Sequence, residues 1–167
     1  MERFTVAVLV KNQYGVLNRV TSMFRRRQFN ITCLNVSMTE SNDLSRITVQ
    51  FDGEENNKQQ LVNQLYKLPD VVSIKELDER AIICETLLIK LENNADNRRD
   101  ILDAAAAFGA RTIDYSNEAI ILQLTDSPKR LDDFIVLLQS YTVLEICRTG
   151  VVSLERGEET LRKAAYL

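Results

Sequence analysis

Apolar side chains recur at every second position from residue 4 to residue 10 of this chain. That spacing places them on one face of a β-strand. After a polar turn, Leu17, Val20 and Phe24 recur at intervals of three and four, which is the spacing of one face of an α-helix. The pattern therefore predicts a strand over residues 3–10 and a helix over residues 15–28.

The rest of the first half continues in the same two patterns. It predicts strands over residues 31–39, 44–51 and 71–77 and a helix over residues 57–68, with Pro69 just beyond that helix. The order is βαββαβ. Two helices in this order can cover one face of a four-stranded antiparallel sheet, which is the ferredoxin-like arrangement.

The second half repeats the order at a similar length. It predicts strands over residues 81–91, 111–115, 119–124 and 141–147 and helices over residues 97–108 and 127–140. The predicted fold class is α+β, with two ferredoxin-like βαββαβ domains in tandem at residues 1–78 and 79–167. The second domain is expected to carry a C-terminal tail that forms a short surface helix or a disordered end, with contact to a partner protein as an alternative role.

Composition is that of a soluble globular protein, with 45% hydrophobic and 27% charged residues in a chain of 167. No run approaches the roughly 18 apolar residues of a membrane span, and the N-terminus has no signal-peptide pattern. Cys33, Cys84 and Cys147 are scattered through apolar segments. This odd, dispersed set favours reduced core thiols in a cytoplasmic protein over a disulfide framework.

The chain contains no histidine, which excludes Ser-His-Asp and Cys-His catalysis within it. No CxxC motif or spaced acidic cluster supports a metal site. Paired carboxylates such as Asp132-Asp133 fall in turns or on exposed helix faces, where solvation explains them. The sequence therefore predicts neither catalytic nor metal-binding residues.

A nucleic-acid partner is not expected either. The net charge is −3 and neither half is strongly basic. The outward positions of the third strand would be Arg46, Thr48 and Gln50, which provide no aromatic surface for stacking bases.

The turn around Gly15 is the candidate binding feature. The first N–H groups of a helix have no intrahelical acceptor, and they suit a carboxylate or phosphate. The simpler interpretation is a helix start that uses glycine for steric reasons. An acylphosphatase-like use of Asn12, Gly15 and Arg19 is disfavoured, because Arg19 lies one turn inside the helix and the loop is too short and glycine-poor to wrap a phosphate.

Each half is small for a hydrophobic core, and domains of this size often gain stability by association. An exposed edge strand is a natural place for that contact. We therefore predict a homodimer formed through the N-terminal sheet.

A set of motifs then suggests a family. The motifs are Asn12-x-x-Gly15-x-Leu17-x-Arg19-Val20, Phe29-Asn30-Ile31, the segment 44–50, Leu65-Tyr66-Lys67-Leu68, Asp70-Val71-Val72 and the ending Arg148-Thr149-Gly150-Val151-Val152-x-Leu154-x-Arg156-Gly157. In this order, over about residues 2–162, they resemble the regulatory small subunit of acetohydroxyacid (acetolactate) synthase.

This resemblance implies that the first domain is an ACT domain and that the chain is a non-catalytic regulatory subunit in branched-chain amino-acid biosynthesis. The chain would hold no cofactor. A separate catalytic subunit would carry thiamine diphosphate, FAD and magnesium. The regulatory chain would stimulate that subunit and confer feedback inhibition by valine, or in some members by leucine or isoleucine.

The resemblance also implies the effector site, which would lie at the interface of the ACT dimer. Its residues are expected to be Asn12, Gly15, Val16, Leu17, Asn30 and Ile31. N–H groups near Gly15 would receive the effector carboxylate, Asn12 or Asn30 would receive its ammonium group, and Leu17 and Ile31 would line an apolar pocket. Relatives often have alanine at position 16, so Val16 would narrow that pocket.

Two other interpretations remain at this point. One is a stand-alone ACT-type amino-acid sensor without an enzyme partner. The other is a regulatory partner that activates an enzyme without sensing any amino acid.

Overall fold

The structure of the chain, a computed structural model, describes residues 2–78 and 80–163, without the side chains of residues 57 and 163. Two compact units are present. The first comprises the chain up to Ile82 together with the chain from Val151 onward, and the second comprises Ile83–Gly150. Each unit has its own hydrophobic core.

The first unit has the predicted βαββαβ order. Its elements are β1 Glu2–Lys11, α1 Val16–Arg26, β2 Asn30–Met38, β3 Leu44–Gly53, α2 Glu55–Leu65 and β4 Val71–Glu76. The strands form an antiparallel sheet in the order β2-β3-β1-β4. Strand β2 therefore lies at one edge of this sheet.

The second unit repeats this architecture. Its elements are β5 Ile82–Glu92, α3 Arg98–Phe108, β6 Arg111–Tyr115, β7 Ala119–Asp126, α4 Pro128–Leu138 and β8 Val143–Arg148. The sheet order β6-β7-β5-β8 corresponds strand for strand to the first sheet. Each sheet also shifts register where its first strand meets its fourth and where its second meets its third. The predicted fold class is confirmed.

The core of the first unit lies between its sheet and its two helices. Even-numbered side chains of β1 point into this core, because alternate residues of a strand face opposite sides. Phe51 packs edge-on against Phe24 and Phe29, with ring centroids 5.4 and 5.1 Å apart. Aromatic pairs favour this arrangement.

The other face of the first sheet is also buried, at Thr5, Ala7 and Leu9 of β1. Residues 151–162, here called the C-terminal segment, contact this face and include the short strand β9 Val152–Leu154. A 3-10 turn, Leu161–Lys163, follows. The remaining residues of the expected tail, 164–167, lie outside the described residues.

The placement of the C-terminal segment differs from the sequence expectation, which set a boundary after residue 78 and assigned residues 79–167 to the second domain. By its contacts the segment belongs to the first unit. The Arg46 guanidinium donates to the Ser153 carbonyl at 2.5 Å, and the Ser73 hydroxyl donates to the Leu161 carbonyl at 2.6 Å. An apolar sheet face must be covered, and here residues distant in sequence contribute to that cover.

The three cysteines are free thiols. Cys33 and Cys84 are half-buried, but Cys147 is exposed, so the prediction of a core thiol is wrong there. Cys147 lies on β8, an edge strand of the second sheet. No helix in the described part of the chain is both long and apolar enough to cross a membrane.

Candidate effector site

The turn between β1 and α1 has the geometry expected of an anion site. Gly15 has a φ of +80°, in the left-handed region that favours glycine. It precedes α1 without any side-chain cap. The N–H groups of Leu17 and Asn18 have no acceptor among the described residues. These donors and the positive end of the helix dipole are therefore available to a negatively charged group.

The corresponding turn of the second unit is different. There the Asn94 side-chain oxygen accepts hydrogen bonds from the N–H groups of Asp96 and Asn97, each at 3.0 Å. The Asn97 side-chain oxygen accepts in turn from the N–H of Asn94 at 2.9 Å. These hydrogen bonds stabilise the loop before α3, but α3 itself also starts without a side-chain cap, so the uncapped helix start alone does not distinguish the two turns.

A cation that was not among the six predicted effector residues, Arg19, lies at the Gly15 turn. Arg19 is held by Asp70, whose Oδ2 accepts from Nε and Nη2 of Arg19 at 2.7 Å each. Its third nitrogen, Nη1, lies 3.2 Å from the position that a Cβ on Gly15 would occupy. The signal in the sequence was the spacing, because a residue four positions along a helix returns to the same face.

Asn12 is fixed on the same side of the unit. Its side-chain NH₂ donates to the Asn42 carbonyl at 2.9 Å, and its backbone N–H donates to the Asp43 carbonyl at 2.8 Å. Both contacts tie it to the turn between β2 and β3. The Asn12 side-chain oxygen thus remains as an acceptor, as an ammonium group requires.

Two adjacent predicted residues point in opposite directions. The Leu17 side chain is exposed, as a pocket wall requires, whereas the Val16 side chain is buried in the core against the sheet. The Val16 N–H already donates to the Gln13 carbonyl, at a long 3.4 Å. The side chain of residue 16 therefore affects the site through the packing of α1 and does not line its surface.

Asn30 and Ile31 lie at the opposite end of the sheet. Asn30 pairs with Asp52 of β3, whereas Lys11, the residue before Asn12, pairs with Leu44 of β3. These two β3 positions are eight residues apart, or about 26 Å along a strand. Within one chain the six predicted residues therefore form two separate groups.

The edge strand β2 has an apolar surface. Leu34, Val36 and Met38 are exposed by 38, 44 and 68%. An exposed apolar edge strand is a ready site for strand pairing.

The C-terminal motif has a structural explanation in the second unit. Arg148 binds the buried carboxylate of Glu85 through Nε at 2.9 Å and Nη2 at 2.6 Å, and it reaches Asp132 at 2.7 Å. The Gly150 N–H also donates to Glu85, at 3.2 Å. Hydrogen bonds to Glu85, more than those to Asp132, raise the pKa of Arg148. This cluster joins the end of β8 to β5 and α4.

No group of three or more histidine, cysteine, aspartate or glutamate side chains is placed to hold a metal ion within residues 2–78 and 80–163.

Most of the chain is similar to known protein families. Residues 6–73 match the family model described as the AHAS small subunit-like ACT domain, and residues 84–157 match the model for the small subunit of acetolactate synthase. The fold and the turn at Gly15 thus define a protein of the ACT class, with a second ferredoxin-like unit after the ACT domain.

Proteins of this family are similar to the chain over nearly its whole length. The probable acetolactate synthase small subunit of Archaeoglobus fulgidus is 37% identical, covering 94% of this chain and 99% of its own. The small subunit of Mycolicibacterium smegmatis is 39% identical, covering 92% and 91%. The crystal structure of the Thermotoga maritima small subunit superposes with a TM-score of 0.88 at 33% identity, covering 95% and 100%. The chain belongs to the acetolactate synthase small-subunit family.

Proposed function

We propose that this chain is a regulatory subunit that activates a separate, catalytic acetolactate synthase chain and makes it sensitive to valine, or to leucine or isoleucine. The observation that supports this most is the uncapped start of α1 at Gly15, with the Arg19 guanidinium beside it. Thiamine diphosphate, FAD and magnesium belong to the catalytic chain in this proposal. This chain contributes regulation alone, in the cytoplasm.

The proposed effector site needs two copies of the chain. Antiparallel pairing of two β2 strands over their whole length would set Asn30 of one copy beside Met38 of the other. Met38 pairs with Ser45, next to the β3 residue that pairs with Lys11. The pairing thus brings Asn30 and Ile31 of one copy to the Asn12 and Gly15 end of its twin. It also covers the exposed apolar residues of both edges.

A free branched-chain amino acid fits the chemistry of such a joint site. Its carboxylate accepts from the N–H groups at the start of α1 and lies within reach of Arg19 Nη1. Its ammonium group donates to the side-chain oxygens of Asn12 or, from the other copy, Asn30. Its apolar branch packs against Leu17 and the twin's Ile31.

Regulation then follows as a shift between states. Valine stabilises the dimer arrangement that it binds best, and that arrangement supports the catalytic chain less well. Coupling free energies for such effects are typically about 1–3 kcal/mol. Inhibition therefore reduces activity by a bounded factor and leaves activation intact when the effector is absent.

Gly15→Asp tests the site. The new carboxylate would stand where the effector carboxylate binds and against Arg19, so we expect valine inhibition of the reconstituted enzyme to disappear while activation persists. The measurement is acetolactate formation against rising valine.

Gly109→Asp is the matched control. Gly109 also has a left-handed φ, +72°, but a Cβ there would meet nothing within 4 Å. Gly109→Asp therefore introduces similar backbone strain in the second unit but blocks no contact there. The valine inhibition curve of the enzyme reconstituted with this variant should match that of the wild type. An unchanged curve for Gly15→Asp would refute the site.

The alternative functions give different results in two binding experiments. A stand-alone amino-acid sensor would not retain a catalytic subunit in a pull-down. A regulatory partner that senses no amino acid would show no heat of binding when valine, leucine and isoleucine are titrated into the purified chain.

A further inference from the structure

A cavity of about 380 Å³ lies within the first unit, between the sheet and the C-terminal segment. This volume is at the lower end of the range for small-molecule sites, roughly 300–1,000 Å³. Leu9 and Leu77 line it on the sheet side, and Leu154 and Leu161 line it from the segment. None of the six predicted effector residues lines this cavity.

Among the described residues, three cations line the cavity, and two of them, Lys75 and Arg162, form ion pairs with the carboxylates that also line it. Lys75 pairs with Glu155 at 3.5 Å and with Glu159 at 3.3 Å. Arg162 pairs with Glu40 at 3.0 Å. These contacts use the three carboxylates that line the cavity.

Arg46 also lines the cavity, and it takes part in none of these ion pairs. It is half-buried, and in the described part of the chain no carboxylate lies within 4.0 Å of it. Its Nη2 donates to a neutral acceptor, the Ser153 carbonyl. Burial lowers the pKa of Arg46, and the more distant charge of Glu155 only partly offsets this. The guanidinium is thus partly desolvated without a direct counter-charge.

We propose that this cavity binds a small monocarboxylate with an apolar body, with its carboxylate on Arg46 and its body against the surrounding leucines. A guanidinium binds a carboxylate strongly because two N–H groups can donate in parallel, and partial burial strengthens the attraction. A dianion such as phosphate is disfavoured, because the other two cations are already paired and three carboxylates line the same walls. The ligand would also hold the C-terminal segment against the sheet, since it contacts both.

The probe is 4-methylpentanoate, and 4-methylpentanamide serves as an uncharged control of the same shape. The full-length chain is titrated with each, and binding is followed by NMR through the methyl signals of Leu9, Leu77 and Leu161. We expect saturable shifts with the acid and little change with the amide. Equal binding of acid and amide, or no saturation by the acid in the millimolar range, would overturn the proposal.

Two variants locate the binding. Arg46→Met should weaken acid binding about tenfold or more, because a charge-assisted hydrogen bond is lost. Leu161→Trp keeps the charge but enlarges a buried side chain that lines the cavity, so it should also abolish binding. Circular dichroism confirms that each variant is folded.

Gly15→Asp separates this proposal from the effector site. It should leave 4-methylpentanoate binding unchanged. If instead Gly15→Asp abolished binding and Arg46→Met did not, the acid would occupy the Gly15 turn, and the cavity proposal would be wrong while the proposed function stood.

Discussion

Lys58 is a charged residue buried in the first unit, with only 4% of its surface exposed. Its ammonium group pairs with Glu55 at 2.7 Å and with Glu76 at 2.5 Å, and it lies 4.6 Å from the centre of the Phe4 ring. Burial by itself lowers the pKa of Lys58, but the hydrogen bonds that its ammonium group donates to both carboxylates, together with their charges, outweigh it, so the pKa lies above its ordinary value. A buried charge of this kind is retained only because it is paired.

Two variants at this cluster should behave differently. Lys58→Met replaces the charge with an apolar chain of similar size and should change the free energy of unfolding by about 1 kcal/mol or less at neutral pH. The double variant Glu55→Gln, Glu76→Gln leaves a buried ammonium without a counter-charge and should cost about 3 kcal/mol. Urea titration measures both. If both variants lost the same free energy of unfolding, the expectation that an unpaired Lys58 costs more than its replacement by methionine would be contradicted.

The sign of the pH dependence follows from the raised pKa. Lys58 stabilises the fold fully while it is charged in both folded and unfolded chains, and this contribution is lost as the pH rises above the ordinary value of 10.5 and through the raised folded value. As the pH rises above 10.5, wild-type stability should therefore fall relative to Lys58→Met. If the wild type and Lys58→Met lost stability equally as the pH rises, the stabilising role given to charged Lys58 would be contradicted.

At the scale of elements, β2 is the critical strand. Its position at the sheet edge and its exposed apolar residues make it the expected dimer contact. Its first two residues, Asn30 and Ile31, are also the part of the effector site that one chain cannot bring to Gly15. Dimer formation and effector binding are thus expected to fail together.

Val36→Lys tests this link. A lysine on this edge would bring a charge into the paired apolar surface and oppose pairing, so we expect a shift towards monomer in light scattering and a loss of valine binding. Val136→Lys is the control, because Val136 is exposed by 64% on α4, which belongs to the second unit. A Val36→Lys dimer that bound valine normally would exclude β2 as the interface.

At the scale of the whole molecule, the chain returns to its first unit after completing the second. A chain that ends after Gly150 would lose the contacts of Arg46, Ser73 and Lys75 with the C-terminal segment. Hydrogen exchange should then speed up in β1, β3 and β4, while the second core keeps its protection. A chain that ends after Lys163 retains these contacts and should exchange like the wild type. Uniform acceleration in both units would contradict this division.

Much of the fold could be predicted from the local pattern of apolar and polar residues. The alternation in β1 and the three-four spacing in α1 identified those elements to within a few residues, because a core face imposes its period on the sequence. The site was accessible only in part. Gly15 was recognisable by its type and place, but Val16 and Leu17 are adjacent in sequence and face opposite ways, and Arg19 depends on Asp70 for its orientation.

The sequence by itself determined the two βαββαβ units, the glycine turn and the family, since these depend on periodicity and on motifs that are local along the chain. Tertiary structure decided the rest. Only the strand register shows that Asn30 and Asn12 lie at opposite ends of the first sheet within one chain, and only long-range packing brings residues 151–162 onto that sheet. Contacts between distant residues depend on how elements pack, and no local pattern encodes that.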